Sequence, residues 1–377
     1  MKLSALLFFS LQLCAQRELV FPPGSNPVGP FSPGIIYEDV LYVSGQGARD
    51  AQGNLPATAE AQTRQCLENI RGIVESANFS LANIVYTHIY LTNMADYAAV
   101  NKVYPEFFTG TLPARSTMGV SKMPLETPVE ISAIAVRPTT PLKAITLPNA
   151  KSPVPISPGI IAADRLFLSG ILGRDAEAGL TPPTGAAQIE MCLSRIARVL
   201  AAAGISGQNL LQLNVYRTSQ LPASEVESRF RSAFPQTAIS IIEATALPFG
   251  VQVGVTGVAA MHLESKTIHS SNGHVLCASS SRTIYCASQA ADTVGEALRF
   301  LNQALESMGS SLNNALSTNV YLNDITTFPN MNAIYALQFA KPFPTRTTVQ
   351  PQAAGFSRGV TVSVVAEKPA LAPVTKK

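Results

Sequence analysis

Apolar residues between positions 66 and 77 recur at the spacing of one helix face, which predicts an amphipathic helix. Before this helix, residues 34–46 contain two runs of β-branched and aromatic residues around a short acidic turn, which predicts two strands. The pattern after the helix predicts a strand, a short helix and two further strands, over 83–93, 97–108, 115–120 and 129–136. The predicted order is β-β-α-β-α-β-β. Both helices would cover one face of a single sheet, so the predicted fold class is α+β.

The same pattern occurs three times along the chain, and this repetition decides the predicted architecture. The third copy aligns with the first at a constant offset of 231 residues, which pairs Tyr90 with Tyr321 and Arg115 with Arg346. The second copy follows the first at an offset of 126 residues as far as the segment TGTL, which it lacks. We therefore predict tandem units over 20–137, 152–261 and 273–368, joined by polar or proline-containing linkers at 137–152 and 262–273.

Each unit would leave one face of its sheet uncovered, because both helices lie on the other face. Three such faces in one chain can cover one another if the units pack around a pseudo-threefold axis. We therefore expect an intramolecular pseudo-trimer that remains a monomer in solution.

Composition and charge narrow the range of partners. The chain has 377 residues, and 46% of them are apolar, which is enough to form packed cores. The net charge is only +3 and the lysines and arginines are scattered, so we expect no nucleic-acid partner. The histidines show no metal-ligand spacing, and we expect no metal site.

The N-terminal segment, 1–16, contains one lysine followed by an apolar run that is too short to span a bilayer. This pattern favours a signal peptide that is cleaved near Ala15 or Gln16. It predicts a periplasmic or secreted protein with no stable membrane anchor after removal of the leader. The alternative is an apolar tail on a cytoplasmic protein.

The cysteines that follow this segment divide into two pairs. Cys66 and Cys192 fall on apolar helix faces, where we expect buried free thiols. Cys277 and Cys286 flank the turn 279–282, and strand pairing about this turn makes them diagonal neighbours about 7 Å apart. That separation is too long for an unstrained bridge, so we predict no disulfide.

Five motifs occur in order in the first unit: GPFSPG, VSGQ, VNKVYPEFF, LPARS and VEISAIAV. In this order they resemble the RidA/YjgF family of reactive-intermediate deaminases, and the other two units resemble it more weakly. The resemblance implies a chorismate-mutase-like fold with clefts between adjacent units. It also implies hydrolysis of small carboxylate-bearing enamines and imines, such as 2-aminoacrylate and 2-iminopropanoate, to 2-oxo acids and ammonia. It implies no metal or organic cofactor.

The resemblance assigns two catalytic residues. Arg115 matches the arginine that binds the substrate carboxylate, and a planar, permanently charged guanidinium suits that role. Glu130 matches the acid that takes a proton from the attacking water and returns it to the departing amine. The alternative for both residues is structural, as a salt bridge or a solvated strand position. The residues that the resemblance places around the substrate are Phe31, Ser44, Gly45, Asn101, Thr117 and, in the third unit, Arg346.

The aligned columns predict that the three clefts differ in chemistry. The residues in the columns of Arg115 and Glu130 are Thr237 and Gln252 in the second unit and Arg346 and Thr361 in the third. One cleft is therefore predicted to hold both the arginine and the acid, and a second to bind a carboxylate. The alternative function is a non-catalytic protein that binds small carboxylates or acts as a scaffold. Ammonia release from freshly generated imines would distinguish the two functions.

Overall fold

The computed structural model describes residues 17–25, 27–148, 154–352 and 358–369. The predicted signal peptide, 1–16, lies outside the described residues. Within the described ranges, no helix is both long enough and apolar enough to cross a membrane.

The first unit is a six-stranded sheet with two helices packed on one face. Its elements are β1 (Glu18–Val20), β2 (Gly34–Tyr37), β3 (Val40–Gly47), α1 (Ala59–Ser76), β4 (Ile84–Leu91), α2 (Tyr97–Phe107), β5 (Ala114–Gly119) and β6 (Val129–Val136). The strand order is β1-β2-β3-β6-β4-β5. β4 and β5 run parallel, whereas the other neighbours are antiparallel. The helices and strands predicted for this unit are all present.

The other two units have the same strand order. The elements of the second unit are β7 (Leu142–Ala144), β8 (Gly159–Ala162), β9 (Arg165–Leu172), α3 (Gly185–Ala202), β10 (Leu210–Arg217), α4 (Ala223–Ala233), β11 (Ala238–Glu243) and β12 (Val253–Ala260). The elements of the third unit are β13 (Thr267–Ser271), β14 (His274–Ser279), β15 (Thr283–Ala291), α5 (Val294–Ser307), β16 (Ala315–Leu322), α6 (Phe328–Ala336), β17 (Thr345–Val349) and β18 (Val360–Glu367).

The two segments predicted as linkers each contain a short edge strand. β7 lies within 137–152 and pairs with β8, and β13 lies within 262–273 and pairs with β14. Neither strand has a buried residue, so neither shows the apolar alternation that would predict a strand. Each sheet therefore has six strands rather than the five that the sequence pattern predicts.

The long helix of each unit begins at a threonine cap. Thr58, Thr184 and Thr293 precede α1, α3 and α5, and each side chain accepts a hydrogen bond from the backbone N–H three residues later. The predicted apolar stripe of α1 is buried against the sheet, and Ile70 and Val74 are fully inaccessible to solvent. The face of α1 that the spacing of apolar residues predicts is therefore the face that the helix buries.

The three sheets form a closed ring. β5 packs against β9, β11 against β15, and β17 against β3. The sheet faces without helices meet at the centre, where Tyr42, Phe167 and Tyr285 occupy equivalent register positions in one apolar cluster. The predicted fold, with three tandem α+β units arranged as a pseudo-trimer in one chain, is confirmed.

The prediction that Cys277 and Cys286 form no disulfide is wrong. The two residues are directly opposite in the β14–β15 ladder, with Cα atoms 4.0 Å apart, and they form a disulfide bond. The turn is shifted by one residue from the predicted position, because the Ser280 N–H donates to the Thr283 carbonyl and closes the hairpin there. Cys66 and Cys192 are buried free thiols, as predicted.

Candidate functional site

Two cavities lie at contacts between units, and each contains a buried arginine. The Arg346 cleft lies between the third and first units, and the residues that define it are Phe31, Gly45, Arg49, Asn69, Glu130, Arg346 and Thr348. The Arg115 cleft lies between the first and second units, and the residues that define it are Tyr97, Arg115, Thr117, Arg174, Arg195, Phe249 and Gly254. Each cleft is built from the parallel strand of one unit and the central strands of the next.

Arg346 lies on β17 and is held by polar contacts from both units. Its backbone N–H donates to Ser44 Oγ at 2.9 Å, and Ser44 Oγ in turn donates to the Ser32 carbonyl at 2.7 Å. Its Nη2 donates to Asn332 Oδ1 at 2.7 Å. The predicted substrate-binding residue Ser44 therefore lies beneath the arginine and fixes the strand that carries it.

Aromatic rings surround the Arg346 guanidinium. Its central carbon lies 5.2 Å from the ring centre of Phe31, 5.5 Å from that of Phe328 and 4.9 Å from that of Tyr335. Burial lowers the pKa of Arg346 from its ordinary value, and the nearby Tyr335 and Glu130 oppose this shift. A guanidinium remains charged in such a place, so the rings and Asn332 hold a desolvated cation in one orientation.

Glu130 lies on β6, directly opposite Gly47 of β3, and is only 7% exposed. Removal from water raises the pKa of its carboxyl to about 8, and the charge of Arg346 offsets only part of this effect. The acid is therefore mainly protonated at neutral pH. Gly45 makes room for it, because a Cβ at that position would collide with the Glu130 carboxylate.

Arg115 lies on β5 in an arrangement that matches that of Arg346. Its backbone N–H donates to Ser169 Oγ at 2.9 Å, and its Nη2 donates to Asn101 Oδ1 at 2.5 Å and to the Tyr97 hydroxyl at 3.3 Å. The ring of Tyr104 lies 4.7 Å from the guanidinium carbon. Arg115 is 2% exposed, and its buried Nη1 has no hydrogen-bond partner among the described residues.

The prediction that Arg115 and Glu130 share one cleft is wrong. Arg115 faces the second unit across β9, whereas Glu130 faces the third unit and lines the cleft of Arg346. The reason is the ring geometry, because β5 of the first unit contacts the unit that follows while β3 contacts the unit that precedes. One unit therefore contributes its arginine and its acid to two different clefts.

The other predicted site residues divide in the same way. Phe31, Gly45 and Arg346 line the cavity that contains Glu130. Asn101 and Thr117 lie with Arg115, the first as its hydrogen-bond acceptor and the second in the cavity wall. The prediction missed three residues of the Arg346 cleft: Phe328, Asn332 and Thr348. They stand 231 residues after Tyr97, Asn101 and Thr117 of the Arg115 cleft, in that order. The repeat offset was therefore a signal that could have found them.

Strand register corrects the aligned columns of the second unit. β4 places Thr87 beside Arg115, and the matching pair in the second unit is Leu213 beside Ile239, so Ile239 rather than Thr237 occupies the arginine column. The acid column holds Gly254 rather than Gln252, because Gly254 lies opposite Tyr216 as Glu130 lies opposite Tyr90. The error arose because the second unit is shorter by two residues, not four, between these strands.

The third unit keeps the columns that the sequence predicted. Arg346 pairs with Thr318, and Thr361 lies opposite Tyr321 in the acid column. The contact between the second and third units therefore brings Ile239 and Thr361 to the positions of the arginine and the acid. Neither side chain carries a charge, so this contact lacks both groups of the Arg346 cleft.

No group of three or more histidine, cysteine or acidic residues that could hold a metal ion occurs in the described part of the chain. His88 of β4 is buried near the centre of the ring, and burial lowers its pKa to about 3. Its imidazole is therefore neutral at physiological pH.

Comparison with known proteins agrees with the repeated architecture. The family model described as Endoribonuclease L-PSP matches the chain three times, over residues 24–137, 148–261 and 265–368. The E. coli YjgF gene product is 36% identical over 32% of this chain and 97% of its own length, with a TM-score of 0.31.

Two further solved structures match a single unit. E. coli TdcF, solved with bound serine, is 33% identical over 32% of this chain and 98% of its own, with a TM-score of 0.31. YyfA of Yersinia pestis, a protein of the conserved Rid family, is 36% identical over 32% of this chain and 100% of its own, with a TM-score of 0.31. Since the three family matches together span most of the sequence, this chain belongs to the endoribonuclease L-PSP family, the family of RidA and YjgF, and contains three of its units.

Proposed function

We propose that the Arg346 cleft hydrolyses small carboxylate-bearing imines and enamines, of the 2-iminopropanoate and 2-aminoacrylate type, to 2-oxo acids and ammonia. The observation that carries this proposal is a buried arginine and a buried acid, contributed by different units, that line one cavity of about 270 Å³. Burial is unfavourable for both groups, because removing the charged guanidinium from water costs several kcal/mol and removing the carboxyl from water raises its pKa to about 8.

The substrate carboxylate would bind the Arg346 guanidinium. Arg346 Nη2 donates to Asn332, Nη1 donates weakly to Met331 Sδ at 3.9 Å, and the aromatic rings fix the plane of the guanidinium. The N–H groups that remain would bind an incoming carboxylate. Thr348 Oγ1 lies in the same wall and has no hydrogen-bond partner among the described residues. A bound carboxylate oxygen would satisfy this hydroxyl, which explains why a polar group is left unpaired there.

Glu130 would transfer the protons. In its protonated form it donates a proton to the imine nitrogen, or to the methylene carbon of the enamine, and becomes a carboxylate. That carboxylate takes a proton from the water that attacks the imine carbon, which gives a carbinolamine. Glu130 then gives this proton to the nitrogen as the carbon–nitrogen bond breaks, and its carboxylate takes the proton of the carbinolamine hydroxyl, which becomes the carbonyl of the 2-oxo acid. The imine and one water become a 2-oxo acid and ammonia, and Glu130 ends in its starting state.

The test is hydrolysis of 2-iminopropanoate, generated in situ by an amino-acid oxidase in the presence of semicarbazide as a competing trap. The purified full chain should lower the yield of semicarbazone, because it removes the imine before the trap can react. Glu130→Gln and Arg346→Ala should each lower kcat/KM by about 100-fold or more, the usual scale for loss of a proton-transfer group or a carboxylate anchor.

Arg229→Ala provides the matched control. This arginine is exposed on α4, pairs with Glu190 at 3.3 Å and is not among the residues that line either cleft, so its loss should leave the rate unaltered. A chain that binds pyruvate saturably at Arg346 but does not accelerate loss of the imine would support the binding function and contradict the enzyme. Turnover should also decrease as the pH rises above about 8, where Glu130 becomes ionised.

A further inference from the structure

Each cleft has one wall from the unit that carries its buried arginine and a second wall from the neighbouring unit. The two clefts differ in the charges on this second wall. In the Arg346 cleft this wall carries Arg49, Asn69 and Glu130. The equivalent positions in the Arg115 cleft carry Arg174, Arg195 and Gly254. Gly254 thus replaces the acid Glu130, and the cation Arg195 replaces the amide Asn69. Among the described residues, three arginines line the Arg115 cleft and no carboxylate does.

The two arginines of the second unit keep part of their donor capacity free. Arg174 stacks on the ring of Phe249, 4.7 Å from its centre, and donates one hydrogen bond, to Thr181 Oγ1 at 3.3 Å. Arg49 is its counterpart in the other cleft, and all three of its guanidinium nitrogens donate hydrogen bonds to the carbonyls of Leu125 and Gly53. Arg174 is therefore the more available cation.

Arg195 uses one nitrogen to hold the edge of the cleft together. Its Nη1 donates to the carbonyls of Leu172 and Arg174, at 3.0 and 2.9 Å. Asp175 and Glu177 act on Arg195 through their charge, but Glu177 forms its ion pair with Arg198, at 2.6 Å, and Asp175 accepts backbone N–H groups. Among the described residues, none of the three guanidinium groups in this cleft has a carboxylate within ion-pair distance.

The deep end of the cleft contains polar atoms that lack partners. Arg115 Nη1 and Thr117 Oγ1 are both buried and unpaired within the described part of the chain. An unsatisfied buried donor of this kind costs roughly 1–3 kcal/mol, and more when it is charged. An anion in the cleft would satisfy both atoms.

The same cleft lacks the means to transfer a proton. Gly254 stands in the acid column, and the position that its Cβ would occupy lies 2.9 Å from Leu172 Cδ2. The Leu172 side chain therefore fills the space beside the missing acid. A ligand held by Arg115 would meet cations and apolar groups there, but no proton donor equivalent to Glu130.

From these observations we infer that the Arg115 cleft binds a short dicarboxylate and does not convert it. One carboxylate binds Arg115 and Thr117 at the deep end, and the other lies between Arg174 and Arg195 on the opposite wall. Two anionic ends are required because the cations stand on walls contributed by different units. The cavity of about 70 Å³ restricts the ligand to a short chain.

Isothermal titration calorimetry of the full chain tests this inference, with malonate and succinate as dicarboxylates and with pyruvate and inorganic phosphate as competitors. A dicarboxylate should bind at least tenfold more tightly than pyruvate or phosphate. Arg174→Gln should reduce this preference to about threefold or less. Arg174 is partly exposed, so this variant should fold even if a change at the buried Arg115 does not.

Two arginine-to-lysine variants, both of which keep the positive charge, show which cleft binds the dicarboxylate. Arg115→Lys should abolish dicarboxylate binding because it removes the guanidinium fork, while Arg346→Lys should leave it in place. The inference would be overturned if pyruvate bound as tightly as the dicarboxylates, or if phosphate bound more tightly than they do. It would also be overturned if only Arg346→Lys lost dicarboxylate binding. Heats of binding are measured without turnover, so the absence of deaminase activity would leave this result unaffected.

Discussion

At the residue scale, Glu130 is the group whose chemistry depends most on burial. Its pKa is about 8 in the folded protein, against an ordinary value of 4.5, because the folded chain excludes water from the carboxyl. Arg346 lowers that pKa but does not restore it. Between these two pH values the folded protein holds a proton that the unfolded chain has released.

Glu130 should therefore destabilise the protein progressively as the pH rises from about 4.5 to about 8. Each pH unit in this window removes on the order of 1 kcal/mol from the free energy of unfolding, and no further loss follows above the window. Glu130→Gln lacks this proton, so its stability relative to the parent should increase over the same range. Urea unfolding of both proteins at pH 5, 6.5 and 8 measures the difference. A difference that is constant with pH, or that decreases, would show that the acid is ionised in the folded state.

The charged residues also show what a column alignment can predict. Arg346 and Thr361 were assigned correctly because no insertion or deletion separates the first unit from the third over these strands. Thr237 and Gln252 were assigned wrongly to the columns that Ile239 and Gly254 occupy, because the position and length of a deletion in a loop leave no trace in the apolar pattern. Only hydrogen-bonded register fixes such positions.

At the element scale, an irregularity in β3 shapes the Arg346 cleft. The register between β3 and β6 shifts between Val43 and Gln46, and this bulge brings the backbone of Gly45 to the cavity wall. The equivalent strands β9 and β15 shift at matching places. The bulge lets the Glu130 side chain lie against bare backbone, which requires glycine at that point.

Gly45→Ala should lower kcat/KM for imine hydrolysis by about tenfold or more, because the added methyl group displaces the Glu130 carboxyl from its position. The matched control is Gly72→Ala on α1, where an added Cβ meets open space and the rate should not change. Thermal unfolding of both variants separates a local displacement from a loss of folded protein. An active Gly45→Ala would show that the carboxyl is not required at its observed position.

At the scale of the whole molecule, three units in one chain allow three contacts to diverge. In a symmetric homotrimer every cleft has the same residues, because each subunit has the same sequence. Here one cleft keeps the arginine and the acid, a second keeps the arginine, and the third contact has neither. Covalent linkage of the units therefore permits catalysis and binding to be assigned to different clefts.

The ring closes within one chain, so assembly should not depend on protein concentration. We expect light scattering coupled to size exclusion to give a mass near 39.9 kDa. The midpoint of urea unfolding should be the same over a hundredfold range of concentration, because no subunits associate. A mass of three chains, or a midpoint that rises with concentration, would contradict this expectation.

The sequence by itself determined the number of units and the order of their elements apart from the short edge strands β1, β7 and β13, since the helical and alternating apolar patterns are local properties of the chain. It also determined which arginines and acids each unit carries. The tertiary structure decided which of them meet, because a cleft is formed by two units and its walls come from residues more than two hundred positions apart, as for Glu130 and Arg346. It likewise decided the pKa of Glu130, since solvent exclusion depends on what the neighbouring unit places over the carboxyl.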